Sequence, residues 1–512
     1  MVLMTYTFYQ RGEDACPKVK CCPHLGGAAI ASVVLLANEN ANGRRHLLGT
    51  IDAERERNAK LFAENQRLLS ELEQVKLELK LERQNKFATP QRPRVQEGDE
   101  FAAAESEKRQ PKKRGAPVGH PGWFRPLPKA FDWDVDVPAP RRCPHCHAKV
   151  TRIDSVEPAE HLQEDILDGQ YRVVLYRHPV ARCDECGKRV EQAGDGELLD
   201  SRMGPHLRSA AVYLRNVIGI SYRKVPRAIG ELFGITFTAA ALLGFETLLA
   251  EKAIPVVDDI AKKLGSSDGA VHADETYWTL DGKRAYYWVH GDEQFIHFQF
   301  DTSRSGQVSR DVLGEHFTGT LVTDCYSGYA AHVAGAKQKC LAHLARTARE
   351  WQKLTKDDSL DFTFFEEIKE FVRRGCRFHR HRKVRKSSGE EQVADQSWLR
   401  DELRRLASSE VTDEKAITLQ ARILRHYSEW LVFLDDPRVP PTNNLAERAL
   451  RPLVVLRKIT FGHRSAASAK RMAKIMTIAE TARRHGHRAS DLFLGLYLRP
   501  PDRVMRRLYA AV

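Results

Sequence analysis

No segment of the chain is apolar enough to predict a membrane-spanning helix, which needs about 20 consecutive apolar residues. The longest apolar run, residues 26–37, is shorter, and acidic side chains and cysteines precede it, which is a poor pattern for a secretory signal. Only 10 of the 512 residues are cysteine and 42% are hydrophobic, which excludes a disulfide-dense miniprotein and a mostly disordered chain. We therefore predict a globular protein of about three domains with no membrane partner.

The acidic residues are too few to balance the basic ones. The chain has 81 Lys and Arg against 68 Asp and Glu, a net charge of +13. Most of this excess lies in residues 442–512, which contain 15 basic residues and 4 acidic ones. Because a basic surface attracts polyanions, the balance favours a nucleic-acid partner.

Three segments precede the first cysteine pair. Residues 1–50 have no periodicity and form an unassigned leader. Residues 51–86 predict a coiled coil and, through it, a homo-oligomer, because apolar residues recur at alternating spacings of four and three; the alternative is a single solvated helix. Residues 87–128 predict a basic linker, either a solvated tether or an arm that contacts phosphates. The predicted coiled-coil seam consists of Leu61, Asn65, Leu68, Leu72, Val75 and Leu79.

Two CxxC pairs lie within residues 129–200, with strand-like segments between them. Paired thiolates on tight turns are the ligands that tetrahedral zinc prefers, and four protein ligands leave no open position for catalysis. The segment therefore predicts a small zinc-binding module with a structural role; free buried cysteines are the alternative. His147 occupies a left-handed position in this interpretation. The four predicted ligands are Cys143, Cys146, Cys183 and Cys186.

Residues 201–267 are predicted to be helical. Their pattern of helix, turn at Gly234 and second helix is typical of a helix-turn-helix, although a plain helical hairpin fits it equally well. This segment is a candidate DNA-binding region.

The remaining chain alternates between strands and helices. Residues 268–349 predict three strands, a helix and a fourth strand, whereas residues 350–435 are helical and charged. From Asn443 to its end the chain is predicted to be helical again and very basic, and residues 491–512 form a basic C-terminal tail. With the preceding modules, this order indicates a multidomain α+β protein.

Three carboxylates have a pattern that suits metal binding. Asp274 is predicted to end the first strand, Asp324 to end the fourth, and Glu447 to lie on a helix. Carboxylates at the ends of neighbouring strands converge, and their hard oxygens hold Mg²⁺. Two such ions support phosphodiester chemistry. The alternative is that the three residues are solvated acids or helix caps.

Five blocks of this sequence resemble the transposases of the insertion sequence 66 family, and the order of modules is similar over roughly residues 55–500. The most specific block is the last. The blocks are HADETYW, SRSGQVSRDVL, LVTDCYSGY, KCLAHLAR and NNLAERALRPLVVLRK.

The resemblance implies a DDE transposase with an RNase H-like catalytic core, formed by residues 268–349 and 436–490 and interrupted by the helical insertion. It assigns catalysis and Mg²⁺ or Mn²⁺ binding to Asp274, Asp324 and Glu447. Its CxxH pair falls on Cys340 and His343, as local packing or as a metal contact. Cys325 departs from the glycine usual after the second aspartate, without removing a ligand.

The implied activity is strand cleavage at the ends of the element, followed by attack of the freed 3′-hydroxyl on target DNA. The partners implied are double-stranded DNA and accessory proteins of the element, in the cytoplasm of a bacterium at the nucleoid. Two alternatives remain, an inactive zinc and coiled-coil DNA-binding regulator and a nuclease without strand transfer. The basic run 373–386 is a further DNA contact or an exposed loop. The residues expected to hold phosphates are Arg448, Arg451, Arg457 and Lys458.

We predict that residues 51–86 drive self-association. Replacing Leu68 and Leu72 with Glu puts unpaired charge in the seam, which is costly, so the double variant should sediment as a smaller species. An unchanged oligomer would show that the seam is a surface helix or that another interface dominates.

Overall fold

The computed structural model describes residues 126–510, except 154–156, 200, 358 and 385–387, together with positions 57, 60, 64 and 67. The chain divides into two units, Met1–Pro121 and Gly122–Val512.

In the first unit, the four described positions are helical and exposed, and none of them belongs to the predicted seam. The leader, the seam itself and the linker up to residue 125 lie outside the described residues. The coiled coil therefore stays a prediction.

The segment that carries the cysteine pairs contains six strands. They are β1 (Trp133–Asp136), β2 (Arg152–Ile153), β3 (Ala159–Leu167), β4 (Gln170–His178), β5 (Ala181–Arg182) and β6 (Arg189–Val190). One sheet has the order β1-β4-β3, and the other has the order β2-β5-β6. The β3–β4 hairpin turns at Asp168 and Gly169, whose φ angles of 52° and 73° suit the Asp-Gly pair of a two-residue turn.

Four helices follow. They are α1 (Pro205–Asn216), α2 (Lys224–Phe233), α3 (Ala239–Lys252) and α4 (Ile254–Gly265). Gly234 ends α2 with φ of 71°, and its N–H donates to the Gly230 carbonyl, so the turn lies where the sequence predicts it. A DNA-reading role for the α2–α3 pair stays a prediction.

A five-stranded mixed sheet forms the centre of the second unit. Its elements are β7 (Ala270–Leu280), β8 (Lys283–Gly291), β9 (Ile296–Asp301), α5 (Gln307–Leu313), β10 (His316–Thr323) and β11 (Val333–Lys339). The strand order is β11-β10-β7-β8-β9. Strands β7, β8 and β9 pair antiparallel, whereas β10 lies parallel to both β7 and β11.

The prediction that Asp274 ends the first strand is wrong. Strand β7 continues to Leu280 because its antiparallel pairing with β8 persists to the turn at Asp281. What ends near Asp274 is the parallel pairing with β10, whose last partner on β7 is His272.

The segment predicted as a helical insertion is helical. Its helices and the one before it are α6 (Leu341–Gln352), α7 (Leu360–Lys383), α8 (Gly389–Ser408), α9 (Glu414–Arg425) and α10 (Val432–Asp435). They enclose a hydrophobic cluster of their own, in which Phe364, Phe371 and Leu399 are fully buried. Val322 of β10 also belongs to this cluster, so the insertion packs directly against the central sheet.

Four more helices complete the second unit. They are α11 (Asn444–Thr460), α12 (Ala466–Arg484), α13 (Ala489–Leu498) and α14 (Pro501–Tyr509). The last two helices, α13 and α14, contain most of the predicted basic C-terminal tail over residues 491–512. Val504 and Leu508, one turn apart on α14, are buried in the main hydrophobic cluster, so the end of the chain is packed. No helix among the described residues is long and apolar enough to cross a membrane.

Candidate active site

Strand register places the first two predicted carboxylates side by side. Val322 of β10 is the Cα partner of His272 on β7, and the two aspartates, Asp324 and Asp274, each follow two residues later. Residues two apart on a strand share a face, and neighbouring strands lie about 4.8 Å apart. The aspartates therefore leave the same face of adjacent strands where these strands begin to diverge.

Glu447 lies near the two aspartates because hydrogen bonds connect the start of α11 to β7. Asn443, which precedes the helix, is fully buried. Its side-chain amide donates to the Ala273 carbonyl (2.8 Å), and its oxygen accepts from Nδ1 of His272 (2.9 Å). Its backbone N–H points at Sγ of Cys340 (3.1 Å). These contacts hold the first turn of α11, with Glu447, beside the two strands.

Glu447 also faces the CxxH pair. Its Oε1 lies 3.5 Å from Nδ1 of His343, and its Oε2 lies 3.5 Å from Arg346. The ligand atoms of Cys340, His343 and Glu447 all lie within 4.8 Å of one another. Among the described residues, the carboxylate oxygens of Asp274, Asp324 and Glu447 do not all come within this distance of one another. Burial raises the pKa of the Cys340 thiol to about 11, so the thiol is protonated when no metal is bound.

The electrostatics of the site indicate excess negative charge. Burial raises the pKa of the Asp274 carboxyl well above its usual range, and the charges of Glu275, Asp324 and Glu447 raise it further. The three predicted site residues are therefore close enough to act on one another. A bound cation would offset this repulsion and keep the carboxylates ionised.

Glu275 has a more central place than the sequence predicts. Strand alternation puts it on the face opposite Asp274, so the sequence alone predicts little part for it in the site. Its side chain is only 2% exposed, accepts a hydrogen bond from the Tyr329 hydroxyl (2.7 Å) and forms an ion pair with Arg304 (2.7 Å). The guanidinium of Arg304 stacks on Tyr326 at 3.9 Å.

Tyr326 connects this network to Asp324 by hydrogen bonds. Its backbone N–H donates to Oδ1 of Asp324 (2.8 Å), and its hydroxyl donates to the Arg304 carbonyl (2.7 Å). On the other strand, the Glu275 N–H donates to Oδ1 of Asp274 (2.8 Å). One continuous set of hydrogen bonds and ring contacts therefore orients both aspartates. The spacing of these residues in the sequence does not reveal this network, although Tyr326 and Tyr329 follow soon after Asp324.

The four predicted phosphate contacts on α11 differ in their surroundings. Arg448, Arg451 and Lys458 are exposed. Arg457 is half-buried and donates to the Tyr277 carbonyl and to Oγ1 of Thr276, so it ties α11 to β7. The first three remain candidates for DNA contact, whereas the contacts of Arg457 favour a packing role.

The four predicted zinc ligands come together at the cysteine pairs. Their sulfur atoms lie within 4.8 Å of one another, with 3.7 Å between Cys143 and Cys186 and 3.4 Å between Cys146 and Cys183. A tetrahedral Zn–S site with bonds of about 2.3 Å separates its sulfurs by about 3.8 Å, so the donor set fits zinc. His147 is left-handed, with φ of 62°, as predicted.

The described residues thus combine acidic side chains on a mixed sheet and a basic helix with a separate four-cysteine cluster. Comparison with known protein families matches residues 200–471 to the family described as Transposase IS66 family. The match covers more than half of the chain and includes Asp274, Asp324 and Glu447, so the chain belongs to this transposase family. A search for similar curated proteins finds no match. The family confirms the resemblance seen in the sequence and makes DNA the partner class.

We predict that Cys183→Ser removes one zinc per chain and unfolds the module around the cysteine pairs while the central sheet stays folded, because three remaining thiolates cannot complete the tetrahedral shell. Elemental analysis and limited proteolysis of the purified protein measure both effects. Cys376→Ser, which removes a half-buried cysteine of α7, is the control and should retain zinc. A wild-type protein purified without zinc would overturn this prediction.

We predict that Asn443→Ala lowers the free energy of unfolding by about 2–4 kcal/mol, because it leaves the buried His272 ring and Ala273 carbonyl without partners, and each such group costs about 1–3 kcal/mol. The neighbouring Asn444 is exposed, so Asn444→Ala is the matched control and should change stability by less than about 0.5 kcal/mol. Denaturant unfolding compares the two. Equal effects would show that the Asn443 hydrogen bonds do not hold α11.

Proposed function

We propose that the protein is a metal-dependent DNA transposase of the DDE type, which cleaves strands at the ends of its element and transfers them into target DNA. The observation that carries this proposal is the register of β7 and β10, which brings Asp274 and Asp324 together within charge range of Glu447. The mixed order of the central sheet supports an RNase H-like core, and the family supports transposition.

The residues present fit Mg²⁺ or Mn²⁺. The three carboxylates offer hard oxygen donors, and their mutual repulsion in a buried site is the condition that a divalent cation relieves. Asp274 and Asp324 would share the ions, and Glu447 would complete the second position. When bound, the ions supply an activated nucleophilic oxygen and stabilise the leaving oxygen of the phosphodiester.

The chain's own residues bind and orient the DNA. Arg448 and Arg451 flank Glu447 on the exposed side of α11, and both line a cavity of 360 Å³ with it. In this position they would hold the phosphates next to the reacting one. The Asn443 contacts and the Glu275–Arg304–Tyr326 network fix the carboxylates before DNA binds, so little reorganisation is needed during the reaction.

The structural zinc belongs to a separate part of the proposal. All four sulfurs are used in one cluster, which leaves no open position for substrate. The module would therefore support DNA binding or assembly and take no part in the chemistry.

We predict that Asp324→Asn abolishes nicking of element-end DNA in Mg²⁺ while DNA affinity stays level or rises slightly. The substitution keeps the shape of the side chain and removes charge that is needed in the transition state, so its loss affects rate more than binding. Cleavage of labelled DNA, beside thermal melting of the protein, measures this effect. Asp274→Asn and Glu447→Gln should behave alike.

The control for this experiment is Asp281→Asn. Asp281 is exposed in the β7–β8 turn, and Asn tolerates its left-handed φ of 47°. Glu275→Gln is unsuitable as a neutral control because Glu275 is buried in the Arg304 network. If Asp324→Asn cleaves at the wild-type rate, the catalytic site is misplaced, and the interpretation as an inactive DNA-binding regulator gains support.

A further inference from the structure

A second basic cavity lies at the opposite end of α11 from Glu447. It has a volume of 660 Å³ and is enclosed by the loop between α11 and α12, by α1 and by the start of α3. The catalytic carboxylates do not line it. Three arginines do: Arg215 from α1, Arg464 from the loop and Arg471 from α12.

Arg215 is buried without a hydrogen-bond partner. Only 4% of the residue is exposed, and its Nε and Nη1 atoms have no partner among the described residues. Its one contact of note is a stack over the Tyr222 ring at 4.4 Å. Nε of Arg471 is likewise buried and without a hydrogen-bond partner in the part of the chain that the structure describes. Leaving a guanidinium buried and unpaired is unfavourable, so this arrangement suits an anionic ligand.

The charge around the cavity is positive. None of the residues that line it is acidic. The buried carboxylate of Glu246 lies nearby and accepts hydrogen bonds from Asn216 and Tyr222. The charges of Arg215 and Arg471 act to lower its pKa, so Glu246 offsets part of the arginine charge. Burial, together with the charges of Arg215 and Arg471, lowers the pKa of His463 in the cavity wall to about 4. The imidazole is therefore neutral at physiological pH, and the field that acts on it is that of the arginines.

Two helices begin at this cavity. Ala239 and Ala240 are the first residues of α3, and Ser465 and Ser468 belong to the start of α12. Thr238 and Ser465 each accept one N–H of the first turn, and the helix dipole and the other first-turn N–H groups favour an anion at such positions. The unpaired Arg215 side chain is an independent indication of the same ligand class.

We propose that this cavity binds a phosphate group through Arg215, Arg464 and Arg471 at the starts of α3 and α12, and that the phosphate belongs to the DNA backbone. The choice of DNA as the source rests on the proposed function, whereas the phosphate chemistry does not. Phe461, at the rim of the same loop, is 81% exposed with a left-handed φ of 59°. An exposed aromatic ring next to a phosphate site suits contact with a nucleotide base.

The first arm of the test uses inorganic phosphate and thermal melting at constant ionic strength, with chloride as the reference. Ligand binding to the folded state raises the melting temperature, so wild-type protein should show a saturable rise with phosphate. Arg215→Gln should lose this rise. Its melting temperature without phosphate should change little, because the variant removes a buried guanidinium with two unbonded nitrogens but also removes a positive charge that offsets Glu246.

The matched control for Arg215→Gln is Arg208→Gln. Arg208 lies two turns earlier on α1 and is also buried, but its Nε donates to the Met203 carbonyl (2.9 Å). Arg208→Gln should melt lower and still respond to phosphate. Arg464→Gln, at an exposed position, tests the site without a folding risk and should weaken phosphate binding several-fold. The proposal is overturned if wild-type protein shows no phosphate response, or if Arg215→Gln and Arg464→Gln both respond as wild type does.

The second arm distinguishes the source of the phosphate. Binding of a duplex oligonucleotide is measured as a function of salt for wild type and Arg464→Gln, in an Asp324→Asn background so that cleavage does not interfere. Loss of one DNA-phosphate contact should reduce the slope of log affinity against log salt by about one. An unchanged slope together with a lost inorganic phosphate response would assign the site to a free phosphate and contradict the DNA source. Neither arm depends on cleavage, so failure of the catalytic proposal is a separate result.

Discussion

The parallel pairing of β7 with β10 is the constraint on which the site depends. The pairing stops at His272 and Val322, and an aspartate follows two residues later on each strand. A shift of one residue would send one carboxylate to the opposite face of the sheet. The hydrophobic clusters on the two faces oppose such a shift, because Val271 belongs to the main cluster and Val322 to that of the insertion. Core packing and site geometry are thus set by the same register.

Two polar networks, one buried and one partly exposed, extend this register to residues distant in the chain. Asn443 joins the start of α11 to β7, 170 residues earlier, and the Arg304–Tyr326 pair joins the two aspartate-bearing strands. Buried networks of this kind are stabilising only when every group finds its partner, so they favour one arrangement of the helices and strands. A long helical insertion can therefore separate Glu447 from the aspartates without loosening the site.

The sequence predicts the carboxylates and cysteines of the candidate sites, but it does not predict the residues that hold them in position. Positions at predicted strand ends and the family motifs predict Asp274, Asp324 and Glu447 as site residues, and the CxxC spacing predicts the cysteine cluster. The sequence mispredicts the extent of β7. Near Asp274 the strand loses its pairing with β10 but stays paired with β8 as far as Leu280, and the alternation of apolar residues does not show this change of partner. Asn443 looks like an ordinary helix cap, although its side chain is directed to β7. From the sequence, Arg215 would be taken for an exposed residue of a helix. Its burial depends on packing of α1 against α3 and α12, and the local sequence does not show this packing.

The central claim is that Asp274 and Asp324 form a divalent metal site. The most direct measurement is anomalous scattering from crystals of the protein grown with Mn²⁺, compared between wild type and Asp274→Asn. The account predicts manganese bound between the two aspartates in the wild type and its loss in the variant. Manganese bound only at Cys340, His343 and Glu447, or no manganese at the aspartates, would contradict the account.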